Sequence, residues 1–246
     1  MVFSQTELLI CTIAELLQGC RYVAVGESSP IPGAGAFLAS RLSGSRLRVC
    51  ALGSKTHNFF VNGSVELFDL AAQGRIDAFF LGGGEIDGQG NINLVGTGTY
   101  PRTNVRWPGS FGSSYLYFLI PRVILFREEH SRRVMVPKVD FISAPGVSAT
   151  NIHRPGGPYA LLTELALFMF DKTRRRFRLE SVHPGHTLDE VRDRTGFEFD
   201  VAESLHITPA PNEEWIDLIR GPVKKEIAEI YPLFALGLDT TSQGVR

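Results

Sequence analysis

Short apolar segments alternate with amphipathic segments along most of the chain. Ser4 and Glu7 have the spacing of a helix capping box, and apolar residues at helical spacing follow them. The next apolar segment, Tyr22 to Val25, is short and bounded by polar residues and glycine, which is typical of a buried strand. A glycine- and proline-rich loop over 26–35 then leads into a helix that ends near Leu42. The chain therefore begins as helix, strand and helix.

The same alternation continues towards the carboxyl terminus. Short buried strands between helices and glycine loops predict an α/β fold: an open, mostly parallel sheet with helices on both faces. In such a sheet the loops after the carboxyl ends of the strands form the ligand crevice. The further predicted strands are 47–52, 76–81, 122–126, 139–143, 159–170 and 177–182, and the further predicted helices are 65–72, Thr187 to Arg194 and Asn212 to Arg220.

The length of 246 residues and the absence of a long linker predict a single domain over residues 1–236. The polar residues 237–246 are predicted to be a disordered tail.

Composition and charge narrow the classes of function. The formal net charge of −1 argues against a nucleic-acid or membrane-surface partner. The most apolar run, 115–126, is interrupted by Pro121 and Arg122 and is too short to span a bilayer. The N-terminus shows no signal-peptide pattern, and the three cysteines lack metal-ligand spacing. We therefore expect a cytoplasmic protein with reduced thiols and no metal site.

The segment FFLGGGEIDGQGNIN, residues 79–93, has the most distinctive composition. It leads from an apolar strand into a loop that contains Gly83, Gly84 and Glu85. It matches neither a dinucleotide fingerprint nor a phosphate-binding P-loop, because the glycine spacing differs and the P-loop lysine is missing. Clustered glycines indicate close approach of the backbone to a ligand or partner chain, or an elaborate surface turn. The loop alone leaves both possibilities open.

A second glycine–serine loop contains Gly109, Ser110, Phe111 and Gly112. Its backbone amides are able to form an oxyanion hole for a thioester carbonyl. The alternative is a helix N-terminus capped by a serine at 113 or 114. For the histidines at 183 and 186, structural hydrogen bonds are a better explanation than metal ligation, and no G-x-S-x-G elbow supports a serine hydrolase.

Taken together, these segments resemble the B-type chain of the family I CoA-transferases, with glutaconate CoA-transferase as the best-known type. The resemblance extends to about residue 230. It depends on the glycine loop at 79–93 and on HPGHTLDEVRDRTGFEFD at 183–200, and the other matching segments, 108–113, 139–146 and 156–168, stand in the family's order. The fold implied is an open α/β sheet shared with sugar-phosphate isomerases.

The resemblance implies a heteromer with an α-type subunit, as an α2β2 heterotetramer whose active site lies between subunits. It implies no bound cofactor and a coenzyme A thioester as the substrate. In the transferases a glutamate of the B-type chain attacks the acyl-CoA and forms a glutamyl-CoA thioester, which is covalent catalysis by a carboxylate.

This chain departs from that pattern at two positions. Ala51 stands where the family has the glutamate of its Glu-x-Gly motif. Alternation along the strand points the neighbouring Cys50 to the opposite face, so Cys50 is predicted to be core. Phe111 stands where the family's Gly-Ser-Gly-Gly loop has glycine, which alters access to the thioester. The family commonly has glutamine where Glu85 stands, which suggests a binding role.

Members of the family that lack the glutamate include a hydrolytic ring-opening enzyme of steroid breakdown and a decarboxylase of acyl-CoA dicarboxylates. The resemblance therefore implies a B-type subunit acting on acyl-CoA by hydrolytic carbon–carbon cleavage or decarboxylation of a cyclic or dicarboxylic acyl group. Two alternatives stay open: a true transferase whose carboxylate is Glu27, Glu85 or the partner's, and a non-catalytic scaffold subunit. The residues expected to bind substrate or coenzyme A are Ser54, Gly83, Gly84, Glu85, Gly109, Ser110, Phe111 and Gly112.

Overall fold

The computed structural model describes residues 2–238, which separate by their internal contacts into two compact units. The first unit contains the residues up to Leu70, Arg75–Phe80 and the residues from Pro209 onward, and the second contains Ala71–Gly74 and Leu81–Thr208. The predicted single domain over 1–236 stays a prediction. Of the predicted tail, Gly237 ends a helix and Leu238 is its C-cap, while residues 239–246 lie outside the described residues.

The helices and strands alternate up to residue 81, as the pattern predicts, and two runs of consecutive strands follow, over 85–106 and 122–182. In chain order they are α1 (Gln5–Leu16), β1 (Tyr22–Val25), α2 (Pro30–Leu42), β2 (Arg48–Ala51), α3 (Gly63–Ala72), β3 (Ala78–Leu81), β4 (Glu85–Ile86), β5 (Ile92–Asn93), β6 (Gly96–Thr97), β7 (Val105–Arg106), α4 (Ser113–Leu119), β8 (Arg122–Phe126), β9 (Pro158–Leu162), β10 (Ala166–Asp171), β11 (Arg176–Val182), α5 (Leu188–Arg194), β12 (Asp200–Ile207), α6 (Glu213–Leu218), a π-helical turn (Ile219–Val223), α7 (Lys224–Ala228) and α8 (Pro232–Gly237).

In the first unit, β1 lies between β2 and β3 and is parallel to both. The capping box at the start of α1 is confirmed, because the Ser4 hydroxyl accepts from the Glu7 N–H and the Glu7 carboxylate accepts from the Ser4 N–H. The predicted loop over 26–35 is shorter than expected, since α2 begins at Pro30. Proline is favoured at the first position of a helix, and Gly35 lies inside α2, where a Cβ would be 2.4 Å from the Ile13 side chain.

In the second unit, five strands are ordered β12-β11-β10-β9-β8. The two outer pairs, β12 with β11 and β9 with β8, are parallel, and the pairings of β10 with β9 and β11 are antiparallel. Two short hairpins, β4–β5 and β6–β7, lie outside this sheet. The parallel three-stranded arrangement of the first unit and these mixed strands confirm the predicted class, an α/β fold with mostly parallel strands.

Two strand predictions in the second unit were wrong, and one strand was missed. The predicted single strand over 159–170 is two antiparallel strands, because the Thr163 hydroxyl accepts from the N–H groups of Leu165 and Ala166 and turns the chain. The predicted strand over 139–143 is an irregular segment, and Ala144, directly after it, forms an isolated bridge with Ile92. Finally, β12 was missed because its apolar residues are interspersed with polar ones and form no continuous run.

Within residues 2–238, no helix is both long enough and apolar enough to cross a membrane.

Candidate functional site

The carboxyl end of β2 presents no carboxylate. Ala51 is its last residue, 2% exposed, and its N–H donates to the carbonyl of His57 at 3.0 Å. Cys50 is fully buried, as predicted, and its thiol donates to Asn58 Oδ1 at 3.6 Å. Burial is the main cause that raises the pKa of the Cys50 thiol, which disfavours the nucleophilic thiolate. Neither side chain is therefore suited to attack a thioester.

The turn that follows β2 is held by a carboxylate from the far end of the chain. The Ser54 hydroxyl is buried, donates to Glu229 Oε2 at 2.7 Å and accepts from the His57 N–H at 2.7 Å. The N–H groups of Lys55 and Thr56 donate to Glu229 Oε1 at 2.9 and 3.0 Å. Hydrogen bonds to the ionised form, first of all from Ser54, hold the pKa of Glu229 below its ordinary value. Sequence reasoning missed Glu229, since no local pattern connects it with Ser54.

Glu27 lies in an exposed turn directly after β1. The register pairs Val25 with Ala51, so Glu27 follows β1 at the edge of the sheet where β2 ends. Ser28 next to it has a φ of +57°, and the Ser29 hydroxyl donates to the Glu27 carbonyl. Among residues 2–238 the Glu27 carboxylate has no hydrogen-bond partner. It is thus an accessible carboxylate beside the position of Ala51.

The glycines of the 79–93 segment are required by packing within the second unit. A Cβ on Gly84 would lie 2.2 Å from the Trp107 ring, and one on Gly83 would lie 2.6 Å from the Ile92 side chain. Such distances are far shorter than a carbon–carbon contact allows. The close approach that the sequence indicated is therefore made by this chain's own side chains.

Glu85 is buried in β4 and its Oε2 accepts two hydrogen bonds, from Asn93 Nδ2 at 2.7 Å and from the Asp140 N–H at 2.9 Å. Asp87 is equally buried and accepts from the Gln89 and Asn91 N–H groups and from the Asn91 amide. Both carboxylates thus stabilise the loop and the segments around it.

The second glycine–serine loop is half-buried except at Phe111, which is exposed. Gly109 has a φ of +105° and Phe111 a φ of +40°, and the Phe111 side chain is 86% exposed. A bulky residue with positive φ is a genuine outlier and indicates a strained backbone. Gly112, rather than a serine, is the N-cap of α4, and the Ser113 hydroxyl donates to the Ser110 carbonyl. The predicted serine cap is therefore wrong.

The backbone amides of this loop differ in their availability. The Gly109 N–H donates to the Leu94 carbonyl at 3.2 Å and is occupied. Across the described part of the chain, the Ser110 and Gly112 N–H groups donate to no acceptor. Two amides of the loop can therefore polarise a carbonyl from outside the unit.

Buried histidines form a separate polar chain in the second unit. His183 Nε2 faces the Thr163 carbonyl at 3.0 Å, and its Nδ1 lies 2.8 Å from the Thr208 hydroxyl. His130 bridges the hydroxyls of Thr163 and Thr195 at 2.8 and 2.9 Å. Burial lowers the pKa of each histidine to about 4, so both rings are neutral at pH 7. Structural hydrogen bonding was the interpretation of His183 from the sequence, and it is confirmed.

The structure brings the predicted site residues together in two groups, one in each unit. In the first unit, Glu27 and Ser54 flank the end of β2. In the second unit, Gly83, Gly84 and Glu85 share a hairpin, which contacts the 109–112 loop through Trp107 and through the hydrogen bond to Leu94. Within the described residues, no cluster of three or more histidine, cysteine, aspartate or glutamate side chains is arranged to hold a metal ion.

The family model for the coenzyme A transferases matches residues 6–194, and the chain belongs to this family. The chain is 34% identical over 163 residues to the B-type subunit of the 3-oxoadipate CoA-transferase of Pseudomonas knackmussii, a match that covers 63% of this chain and 62% of that protein. It is 29% identical over 159 residues to the cholesterol ring-cleaving hydrolase IpdB subunit of Rhodococcus jostii, covering 63% and 62%. In each case the match spans somewhat less than two thirds of the relative.

A solved structure, a cysteine-to-alanine variant of the decarboxylase AibA/AibB, superimposes with a TM-score of 0.75 at 25% identity over 88% of this chain and 94% of the solved one. The sequence-based assignment to the B-type chains of the family I CoA-transferases is therefore confirmed.

Proposed function

We propose that this chain is the B-type subunit of a heteromeric enzyme that acts on acyl-CoA thioesters without forming a glutamyl-CoA intermediate at position 51. The observation that carries this proposal is Ala51, a buried methyl side chain at the end of β2. A methyl group cannot attack a thioester, so the covalent route through this residue is closed.

The reaction we propose is hydrolytic carbon–carbon cleavage or decarboxylation of a cyclic or dicarboxylic acyl-CoA. Two of the similar proteins support it: one is named a ring-cleaving hydrolase subunit and the other a decarboxylase. Both reactions develop negative charge next to a thioester carbonyl. The carbonyl oxygen shares this charge, so hydrogen-bond donors aimed at that oxygen lower the barrier. The N–H groups of Ser110 and Gly112, which donate to no acceptor among the described residues, suit this role, while the Phe111 ring would border the acyl group.

The active enzyme we propose is an α2β2 heterotetramer in the cytoplasm, with an α-type partner that supplies the acid/base carboxylate. The coenzyme A thioester is the substrate, and no cofactor is bound. In this chain, Ser54 shapes the turn after β2, and the hairpin with Gly83, Gly84 and Glu85 supports the loop at 109–112.

A second candidate, a true CoA-transferase, is favoured by Glu27. Its carboxylate is exposed, and the pairing of Val25 with Ala51 puts it at the end of the neighbouring strand. Adjacent strands lie about 4.8 Å apart, which is within reach of a glutamate side chain. Glu85 is the weaker choice for this role, because its carboxylate is buried and hydrogen-bonded.

Intact mass spectrometry of the assembled heteromer separates the two candidates. The co-expressed α and β chains are incubated with a panel of cyclic and dicarboxylic acyl-CoA thioesters and then reduced with borohydride, which converts an enzyme thioester to an alcohol. We expect consumption of acyl-CoA with unchanged masses for both chains. A reduced glutamate on either chain would overturn the proposal in favour of a transferase.

Two variants locate the carboxylate if an adduct forms. Glu27→Gln would abolish an adduct on Glu27, while Glu203→Gln, an exposed carboxylate on β12, is the matched control and should leave it intact. Turnover by the α-type partner alone would contradict any catalytic role and favour a scaffold subunit.

A further inference from the structure

The segment from Ile219 to Tyr231, the C-terminal strap, forms hydrogen bonds and ion pairs with four separate elements of the first unit. It lies outside residues 6–194 matched by the family model. These polar contacts join Arg220 to Glu7 at 2.6 and 3.1 Å, Glu226 to Arg41 at 2.8 Å, Glu229 to the turn at 54–56, and the Tyr231 hydroxyl to the Ser29 N–H at 3.0 Å.

Two of these contacts fall on the loops that follow β1 and β2. Tyr231 accepts from Ser29, two residues after Glu27, and Glu229 accepts from Ser54, three residues after Ala51. The strap therefore ties together the two loops that flank the position of the missing nucleophile. The other two contacts hold α1 and α2 and do not touch these loops.

The Glu229 carboxylate makes its hydrogen bonds entirely with one turn. Its two oxygens accept from the Ser54 hydroxyl, the Lys55 and Thr56 N–H groups and the Thr56 hydroxyl. Hydrogen bonds to an ionised acceptor are about twice as strong as neutral ones. Lys55 and Thr56 are otherwise exposed, and their backbone is held by this carboxylate together with the Ser54 hydroxyl, which also accepts from the Thr56 N–H at 3.2 Å.

Apolar packing holds the strap in register beneath these polar contacts. A Cβ on Gly33 would lie 2.9 Å from Ile227 Cδ1, and one on Gly53 would lie 3.8 Å from the Ile230 side chain. Ile227 is fully buried. The close contact at Gly33 fixes how far the strap approaches α2, and this in turn sets where Glu229 and Tyr231 reach the loops.

We propose that Glu229 and Tyr231 are positioning residues of the active site: they fix the loops after β1 and β2 in the geometry that the reaction on the acyl-CoA requires. This inference rests on the proposed function of the chain. Glu229 is not a nucleophile here, because its oxygens are already engaged by four donors of the turn. A loop held in place before substrate binds avoids reorganisation in the transition state.

Glu229→Gln, Glu229→Ala and Tyr231→Phe test this proposal in the assembled heteromer. A glutamine can keep one oxygen for the Lys55 and Thr56 N–H groups, but its NH₂ group would face the Ser54 hydroxyl, so Gln should be milder than Ala. Glu226→Gln is the matched control, because it breaks the ion pair with Arg41 in the same strap without touching either loop.

Amide hydrogen exchange reads the loops directly and independently of activity. We expect exchange over residues 53–57 to be roughly tenfold faster in Glu229→Ala, and exchange over 26–30 to be faster in Tyr231→Phe. Glu226→Gln should change neither segment. Unchanged exchange in both loop variants would overturn the inference.

Steady-state kinetics test whether the loops matter for the reaction. We expect kcat of Glu229→Ala to fall roughly tenfold with KM changed less than about threefold, because the positioning acts on the reacting groups rather than on coenzyme A binding. Equal losses of kcat in Glu229→Ala and Glu226→Gln would indicate that the strap is purely structural and would overturn the positioning role of Glu229. If the unaltered heteromer consumes no acyl-CoA, the proposed function fails, and the exchange experiment still decides whether the strap holds the loops.

Discussion

The two glycine-rich loops of the second unit have similar compositions and opposite environments. In the 79–93 segment, Gly83 and Gly84 each face a packed side chain, and the carboxylates of Glu85 and Asp87 belong to residues that are 5% exposed. In the 109–112 loop, nothing lies within 4 Å of a Cβ built on Gly109, and Phe111 is 86% exposed with positive φ.

A glycine cluster thus has two distinct physical causes in this protein. In the first loop glycine is needed because there is no room for a side chain, and the loop behaves as part of the core. In the second loop Gly109 is needed for the backbone conformation alone, and the Phe111 side chain stays accessible. The accessible loop is therefore the better candidate for contact with substrate, although the first has the more distinctive sequence.

The largest expected effect is that of acidic pH on the free energy of unfolding, and it acts through buried histidines near the 79–93 segment. His130 begins a segment whose Val134 and Val136 form backbone hydrogen bonds with Ile86 of the first loop. Burial lowers the pKa of His130 and His183 to about 4, against 6.5 for an unperturbed histidine, so between these values the unfolded chain binds more protons. The free energy of unfolding therefore falls as the pH falls, by about 2 kcal/mol per histidine at pH 5 and about 3 kcal/mol at pH 4.

Urea unfolding between pH 5 and 7 measures this dependence over most of the interval between the two histidine pKa values. His130→Gln should remove about half of the slope, since it leaves only His183 to bind a proton on unfolding. A slope that is the same in this variant would contradict the assignment of a buried neutral ring.

Gly84→Ala tests the cause assigned to the first loop. The added methyl would overlap the Trp107 ring, and we expect a loss of about 3 kcal/mol in the free energy of unfolding. Gly109→Ala is the control: its methyl meets open space, and backbone strain alone should cost about 1 kcal/mol. Equal costs in chemical denaturation would break the distinction between the loops.

Glu85 distinguishes a structural carboxylate from a catalytic one. Both hydrogen bonds of Glu85 go to Oε2, so Glu85→Gln can keep them through its amide oxygen, at a cost below about 1 kcal/mol. Glu85→Ala leaves the Asn93 amide and the Asp140 N–H without their acceptor and should cost about 2 kcal/mol. Turnover of the folded Gln variant should be retained, and its complete loss would instead make Glu85 catalytic.

The smallest expected effect on the free energy of unfolding is that of Phe111→Gly in the 109–112 loop. Relief of the left-handed strain outweighs the greater flexibility of glycine, so the free energy of unfolding should rise by roughly 0.5 kcal/mol. Ile142→Gly is the matched control, an exposed apolar residue outside the left-handed region, and it should destabilise slightly. A stabilised Phe111→Gly protein with lower turnover in the heteromer would show that the strain serves the reaction.

Much of the fold was predictable because its signals are local. The capping box of Ser4 and Glu7, the short strand β1 and the helix that begins after Thr187 each depend on a few neighbouring residues. The strand boundaries at Thr163 were missed because a turn inside an apolar run leaves the apolar pattern unbroken. Strand β12 was missed for a different reason: it pairs with β11 through backbone hydrogen bonds, which require no apolar run in its sequence.

The candidate site was predictable only in part. Ala51, the accessible loop at 109–112 and the hairpin around Glu85 were identified from motifs. Glu229 was not, because it is joined to Ser54 across 175 positions of the chain by hydrogen bonds that no local pattern signals.

Residue identity and short-range order were enough to establish the family, the α/β class and the absence of a carboxylate at position 51. Which side chains form hydrogen bonds or packing contacts became clear only in the folded chain. Trp107 fills the space beside Gly84, Asn93 and Asp140 occupy Glu85, and Glu229 closes the turn at Ser54. Packing and hydrogen bonding depend on which distant segments folding brings into contact, so the same side chain is reactive or structural according to that contact.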